Sequence, residues 1–193
     1  MLPHQPTLAE KLGTTPHVSP LLLKLKSHGL TTPREIAAAA IDRGCRHYAP
    51  FAEGLHKDAP EITDEELAIA LLSPCHPYEP QLIRIGSQML SGENSNPGKL
   101  AHLAIMERCG PVIKYIAQCG QITEPDLAFW PAILDRLHAY DPAPASVMSH
   151  ISRFRVETGI TNPRRPNDPK IVWLRPLKQN SPEQRKGIHP THE

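Results

Sequence analysis

The sequence predicts a mainly α fold: a compact bundle of short helices with a small C-terminal β-hairpin and a flexible basic tail. Three observations carry that expectation. The first is proline, 22 residues in 193. That is about twice the usual share, and proline is accepted in a helix's first turn but breaks its interior. The proline-free intervals 34–49, 61–73, 81–96, 98–110, 112–124 and 145–162 therefore map the helices, none of which should much exceed about four turns. The second is capping chemistry at the starts of those intervals. The third is apolar spacing near 3.6 residues in a chain whose hydrophobic fraction, 39%, supports a core.

Taken in order, Ser19-Pro20 opens a helix over 21–28, with Gly29 as its left-handed stop. Thr32-Pro33-Arg34-Glu35 is a capping box with proline at the first helical position, followed by a helix over 36–43 and Gly44. Thr63-Asp64-Glu65-Glu66 is a second box, its acids at the positive end of a helix running to about Ser73. Residues 67–72 are apolar all round, which marks that helix as central and buried. Glu79-Pro80 opens a helix through Leu90. Its stripe of Leu82, Ile85, Gly86 and Met89 is widened by Ile83 and Leu90, and Gly86 admits a close neighbour. Asn96-Pro97 opens another helix through Cys109, where Gly110-Pro111 forces a kink or break. A helix over 112–119 then ends at Gly120, and Thr123 caps a segment interrupted at Trp130-Pro131.

The C-terminal end has a different pattern. Residues 154–157 and 171–175 are rich in β-branched and aromatic residues and are bounded by turn formers. They are expected to pair as a hairpin after a helix over 146–153. The domain plan is a loosely docked arm over 1–18, a helical domain over 19–152, a basic β-hairpin over 153–178 packed on it, and a disordered tail over 179–193.

Common chemistry is excluded by spacing. No two glycines lie closer than six residues, whereas dinucleotide fingerprints, phosphate-binding P-loops and serine-hydrolase elbows all need them closer. The longest apolar runs are six residues, far short of a membrane span. Residues 1–6 have neither the charge nor the apolar stretch of a signal peptide. Four cysteines without secretory context read as reduced thiols, so the expected location is the cytoplasm.

Charge is the one functional signal. The formal net charge is +1, but residues 31–150 hold 9 Lys and Arg against 15 Asp and Glu, while residues 151–193 hold 9 against 4. Arg153, Arg155, Arg164, Arg165, Lys170, Arg175 and Lys178 fall on or beside the predicted hairpin. A wing of that kind suits a phosphate backbone, since the guanidinium fork matches phosphate oxygens. The expected function is a non-catalytic binding or regulatory protein, antitoxin- or repressor-like in kind, contacting nucleic acid or an acidic partner through this basic hairpin. Alternatives are a protein–protein adaptor whose tail orders on a partner, and an enzyme without a short motif, its site around Arg84 and Glu107.

Residues 22–28 and 33–43 have a helix-turn-helix layout, but the second helix, rich in alanine, lacks Asn, Gln, Ser and Thr and reads as a packing helix. Cys45, His47, Cys75, His76, Cys109 and Cys119 match no standard zinc spacing, so no metal or other cofactor is expected. Cys109 and Cys119 read as small buried hydrophobes.

Overall fold

The computed structural model describes residues 5–15, 17–90 and 95–148, and the backbone of 154–157 and 170–173. Within them the fold is mainly α. Its helices are α1 (Leu8–Lys11), α2 (Pro20–Ser27), α3 (Pro33–Asp42), α4 (Asp64–Leu71), α5 (Pro80–Leu90), α6 (Pro97–Met106), α7 (Gly110–Thr123) and α8 (Phe129–Arg136), with a 3-10 stretch over Arg46–Ala52. No helix among the described residues is long and apolar enough to cross a membrane.

The caps form where the sequence places them. Ser19, Thr32, Thr63 and Asn96 each accept the backbone N–H three residues on, and Thr32 and Thr63 complete their boxes through Glu35 and Glu66. Helices α2 and α3 stop alike: Gly29 (φ 81°) and Gly44 (φ 126°) take left-handed backbone. The following N–H then returns to the helix, Leu30 to the Leu25 carbonyl and Cys45 to the Ala40 carbonyl. Helix α6 uses the same stop with Arg108, at φ 55°, in the glycine position. Cys109 N–H reaches back to the Ala104 carbonyl there.

Helix α4 lies at the centre, packed on α3, α5 and α6. Every residue from Leu67 to Leu72 is at most 1% exposed, and each fully buried leucine or isoleucine contributes about 1.5–3 kcal/mol. Gly86 lets α5 approach: a Cβ there would stand 2.7 Å from Leu72 Cγ and 3.2 Å from the Ala68 carbonyl. A second group, α6, α7 and α8, packs beside this one, with Trp130 of α8 lying on Gly120 of α7.

Several expectations are revised. Helix α6 ends at Met106 rather than Cys109, and α7 continues through Gly120 to Thr123 because Trp130 needs a residue without a side chain at that crossing. Pro131 does not interrupt α8; it occupies the first turn, where no hydrogen bond is lost. Residues 145–147 form a turn instead of starting a helix. Helix α5 is buried on all sides from Leu82 to Leu90, polar residues included, rather than along one stripe. The N-terminal segment is pinned to the loop after α4: Leu8 and Ala9 donate to the carbonyls of His76 and Pro74, and Tyr78 N–H donates to Pro6.

Beyond residue 148, two short segments have described backbone. β1 (Phe154–Glu157) and β2 (Lys170–Trp173) run antiparallel, Phe154 opposite Trp173 and Glu157 opposite Lys170. That register puts Phe154, Val156, Ile171 and Trp173 on one face, and Arg155, Glu157, Lys170 and Val172 on the other. The 179–193 tail lies outside the described residues.

Candidate functional site

Of the seven basic residues singled out in the sequence, Arg153, Arg164, Arg165, Arg175 and Lys178 lie outside the described residues. Arg155 and Lys170 are placed by backbone register on one face of the β1–β2 pair. Helix α3 is a packing helix over most of its length: Ile36, all four alanines and Ile41 are 9% exposed or less, and its exposed residues are Arg34 and Asp42. The alanines are small because α4 and α5 pack closely against them.

The polar residues that the fold does gather lie where α6 ends and α2 begins. Glu107 is 2% exposed. A carboxylate in that position needs partners, because an unpaired buried charge costs several kcal/mol (about 3–5 when a partner is removed). Its Oε1 accepts Leu21 N–H at 2.9 Å, and its Oε2 accepts a short hydrogen bond from Ser19 Oγ. Ser19 Oγ meanwhile accepts Leu22 N–H at 2.9 Å as the cap of α2. The anion thus sits on the unpaired N–H groups of a helix start, where the backbone dipoles favour negative charge. The left-handed turn at Arg108 aims Glu107 there, since it stops α6 at the one residue that must face α2.

His17 borders the same carboxylate. Its Nε2 lies 3.8 Å from Glu107 Oε2, and the side chain is 10% exposed. At that distance no hydrogen bond forms, and Nε2 has no hydrogen-bond partner. The other ring nitrogen, Nδ1, lies 3.7 Å from Cys75 Sγ, and the Cys75 thiol donates to the His17 carbonyl at 3.0 Å. Cys75 is partly exposed, whereas Cys45, Cys109 and Cys119 are buried; all four are free thiols. Burial, reinforced by the Glu107 charge, pushes the Cys109 thiol far above its ordinary value, and burial pushes Cys119 up to about 11. Those two are protonated packing groups, as their apolar helices imply.

Arg84 is not part of this cluster. Glu107 is occupied by Ser19, Leu21 and His17, and no ion pair joins it to Arg84 among the described residues. The pairing read from the sequence fails because the Glu107 carboxylate is taken up by the start of α2. Cys75 and His76, adjacent in sequence, also part. His76 lines a small cavity with Leu8, Ser73, Tyr78 and Leu82, while the Cys75 sulfur meets His17. Among the described residues no three His, Cys, Asp or Glu side chains are placed to hold a metal ion.

His76 carries a pH expectation. Burial holds its imidazole below the ordinary 6.5, and a hydrogen bond with the Ala70 backbone only partly offsets this. The ring is neutral in the fold but takes a proton in the unfolded chain as pH falls below that value. The stability this confers is whole above about pH 6.5 and is lost as pH falls through the folded-state value. Unfolding free energy from urea titrations should decline from about pH 6.5 to 5, with a shallower decline in His76→Gln. Equal slopes would show that the ring titrates normally.

Sequence reasoning reached Glu107, as an acid on an otherwise apolar helix, but missed His17 and Ser19 as its partners. Ser19 was visible only as a cap, and His17 only as part of an arm. Their pairing with residue 107 is a long-range contact with no local signal. Compared with known proteins, the chain matches no family model, no curated protein and no solved structure.

Proposed function

We propose that this chain is a non-catalytic regulatory protein that binds nucleic acid through its basic C-terminal segment, working in the cytoplasm, where free thiols persist. The observation that carries this is the sorting of charge: 9 Lys and Arg against 4 Asp and Glu in residues 151–193, on a body with the opposite balance. The ion pairs of the body support it. Glu65 is paired with Lys99 at 3.3 Å, Glu66 with Lys24 at 2.8 Å, Glu35 with Lys57 at 2.9 Å and Asp64 with Arg43 at 3.0 Å. These acids are neutralised by the body's own cations, so the terminal arginines are not needed for them. For Glu65 and Glu66, burial works against the charge. Hydrogen bonds and the neighbouring lysines more than offset it and hold both carboxyls below the usual range.

The test is binding of duplex and single-stranded oligonucleotides, followed by fluorescence anisotropy at several salt concentrations. Affinity should fall steeply with salt as counterions are released. Arg164→Ala/Arg165→Ala should weaken binding and reduce the log–log salt slope by about 1–2. Affinity untouched by the double change removes the segment from the role; binding to acidic proteins but to no oligonucleotide redirects it. A protein–protein adaptor is the second reading. It is favoured by exposed Val18 (78%), Ile105 (44%) and Met106 (55%), which lie within two residues in sequence of the bonded pair Ser19 and Glu107. An adaptor would bind its partner with little salt dependence.

A further inference from the structure

We propose that Cys75 is a nucleophilic thiol that exchanges with small disulfides, with His17 as its base and Glu107 steadying the imidazolium. Three groups from distant parts of the chain converge here: the Cys75 sulfur is 3.7 Å from His17 Nδ1, and His17 Nε2 is 3.8 Å from the Glu107 carboxylate. The order of nucleophile, base and acid along this line is the one that activates a weak nucleophile. His17 is nine-tenths buried, has no hydrogen bond at Nε2 and turns Nδ1 toward the thiol, so no packing role accounts for its polar edge. The charged groups facing it are Glu107 and Cys75, and the nearby Cys109 stays protonated through burial.

The chemistry favours a disulfide over a carbonyl substrate. The His17 carbonyl sits 3.0 Å from the sulfur, an acceptor that would repel the oxyanion of an acyl intermediate. Thiol exchange forms no oxyanion. In the step, the Cys75 S–H turns from the His17 carbonyl to His17 Nδ1 and gives up its proton there, and the sulfur attacks one sulfur of R–S–S–R. The Cys75–S–S–R bond forms as the original S–S bond breaks, and the departing thiolate takes the proton from His17 as RSH. One disulfide and one thiol become one mixed disulfide and one free thiol, and no other oxidant is needed.

The experiment treats the full chain with 2-hydroxyethyl disulfide and follows intact mass and peptide maps. At pH 7 one adduct per chain is expected, on Cys75 and reversed by dithiothreitol, with Cys45, Cys109 and Cys119 unmodified. His17→Asn should slow the rate about tenfold at pH 7, and the gap should close near pH 9.5, where a thiol ionises unaided. A gap that persists at high pH, or no gap at pH 7, overturns the proposal. If that variant fails to fold, the native chain decides. Cys75 should react faster at pH 7 in the folded protein than in the urea-unfolded chain, despite its partial burial; a slower folded rate overturns it.

Discussion

Replacing Gly120 with alanine is expected to destabilise the protein by about 2–3 kcal/mol, near the upper end for overpacking a core. A Cβ at that position would lie 2.3 Å from Trp130 Cε2 and 2.4 Å from Cδ2, far inside van der Waals contact. The indole has nowhere to go. It is fully buried, its Nε1–H donates to Glu124 at 2.8 Å, and Phe129 meets its ring edge-on at 4.9 Å between centroids. Alanine's better helix propensity returns about 1 kcal/mol, so the net loss is smaller than the steric cost alone. Urea unfolding with an unchanged m-value would measure it. Gly86→Ala should cost less, because there the closest approach is longer, 2.7 Å to Leu72 Cγ and 3.2 Å to the Ala68 carbonyl. If Gly120→Ala left stability unchanged, α7 and α8 would not cross at this point.

The second large effect is expected at Glu107. Truncation to alanine leaves Leu21 N–H and Ser19 Oγ without their acceptor in a site only 2% exposed, and it removes an anion from a helix start. Buried donors left unsatisfied cost about 1–3 kcal/mol each, so a loss of about 3 kcal/mol is expected in urea titrations. Glu107→Gln keeps the shape and one acceptor oxygen and should lose about half as much. A loss below about 1 kcal/mol in the alanine variant would mean that water replaces the carboxylate and the site is not closed.

Local rules made most of the helical body readable. Pro20, Pro33 and Pro97 open helices, Gly29 and Gly44 close them, and the boxes at Thr32 and Thr63 form as written. Each of these depends on neighbours within a few residues. What escaped depended on contacts between distant residues. Gly120 reads as a stop until Trp130 is known to lie on it. Arg108 gives no hint of left-handed backbone, since arginine rarely adopts it. The polar stretch of α5 looks solvent-facing until β2 is found running alongside it. The candidate site was half legible for the same reason: Glu107 stood out as an acid among apolar residues, while Ser19, His17 and Cys75 join it only through folding.

The bond between Ser19 and Glu107 spans 88 positions of the chain, and that imposes an order on the protein's birth. As the polypeptide leaves the ribosome, the start of α2 waits, its Leu21 N–H met only by water, until the 88 positions from Ser19 to Glu107 have been added. Helix α2 therefore cannot reach its final form before residue 107 has emerged. A chain halted before residue 107 should emerge with that helix frayed and Cys75 without its fixed imidazole.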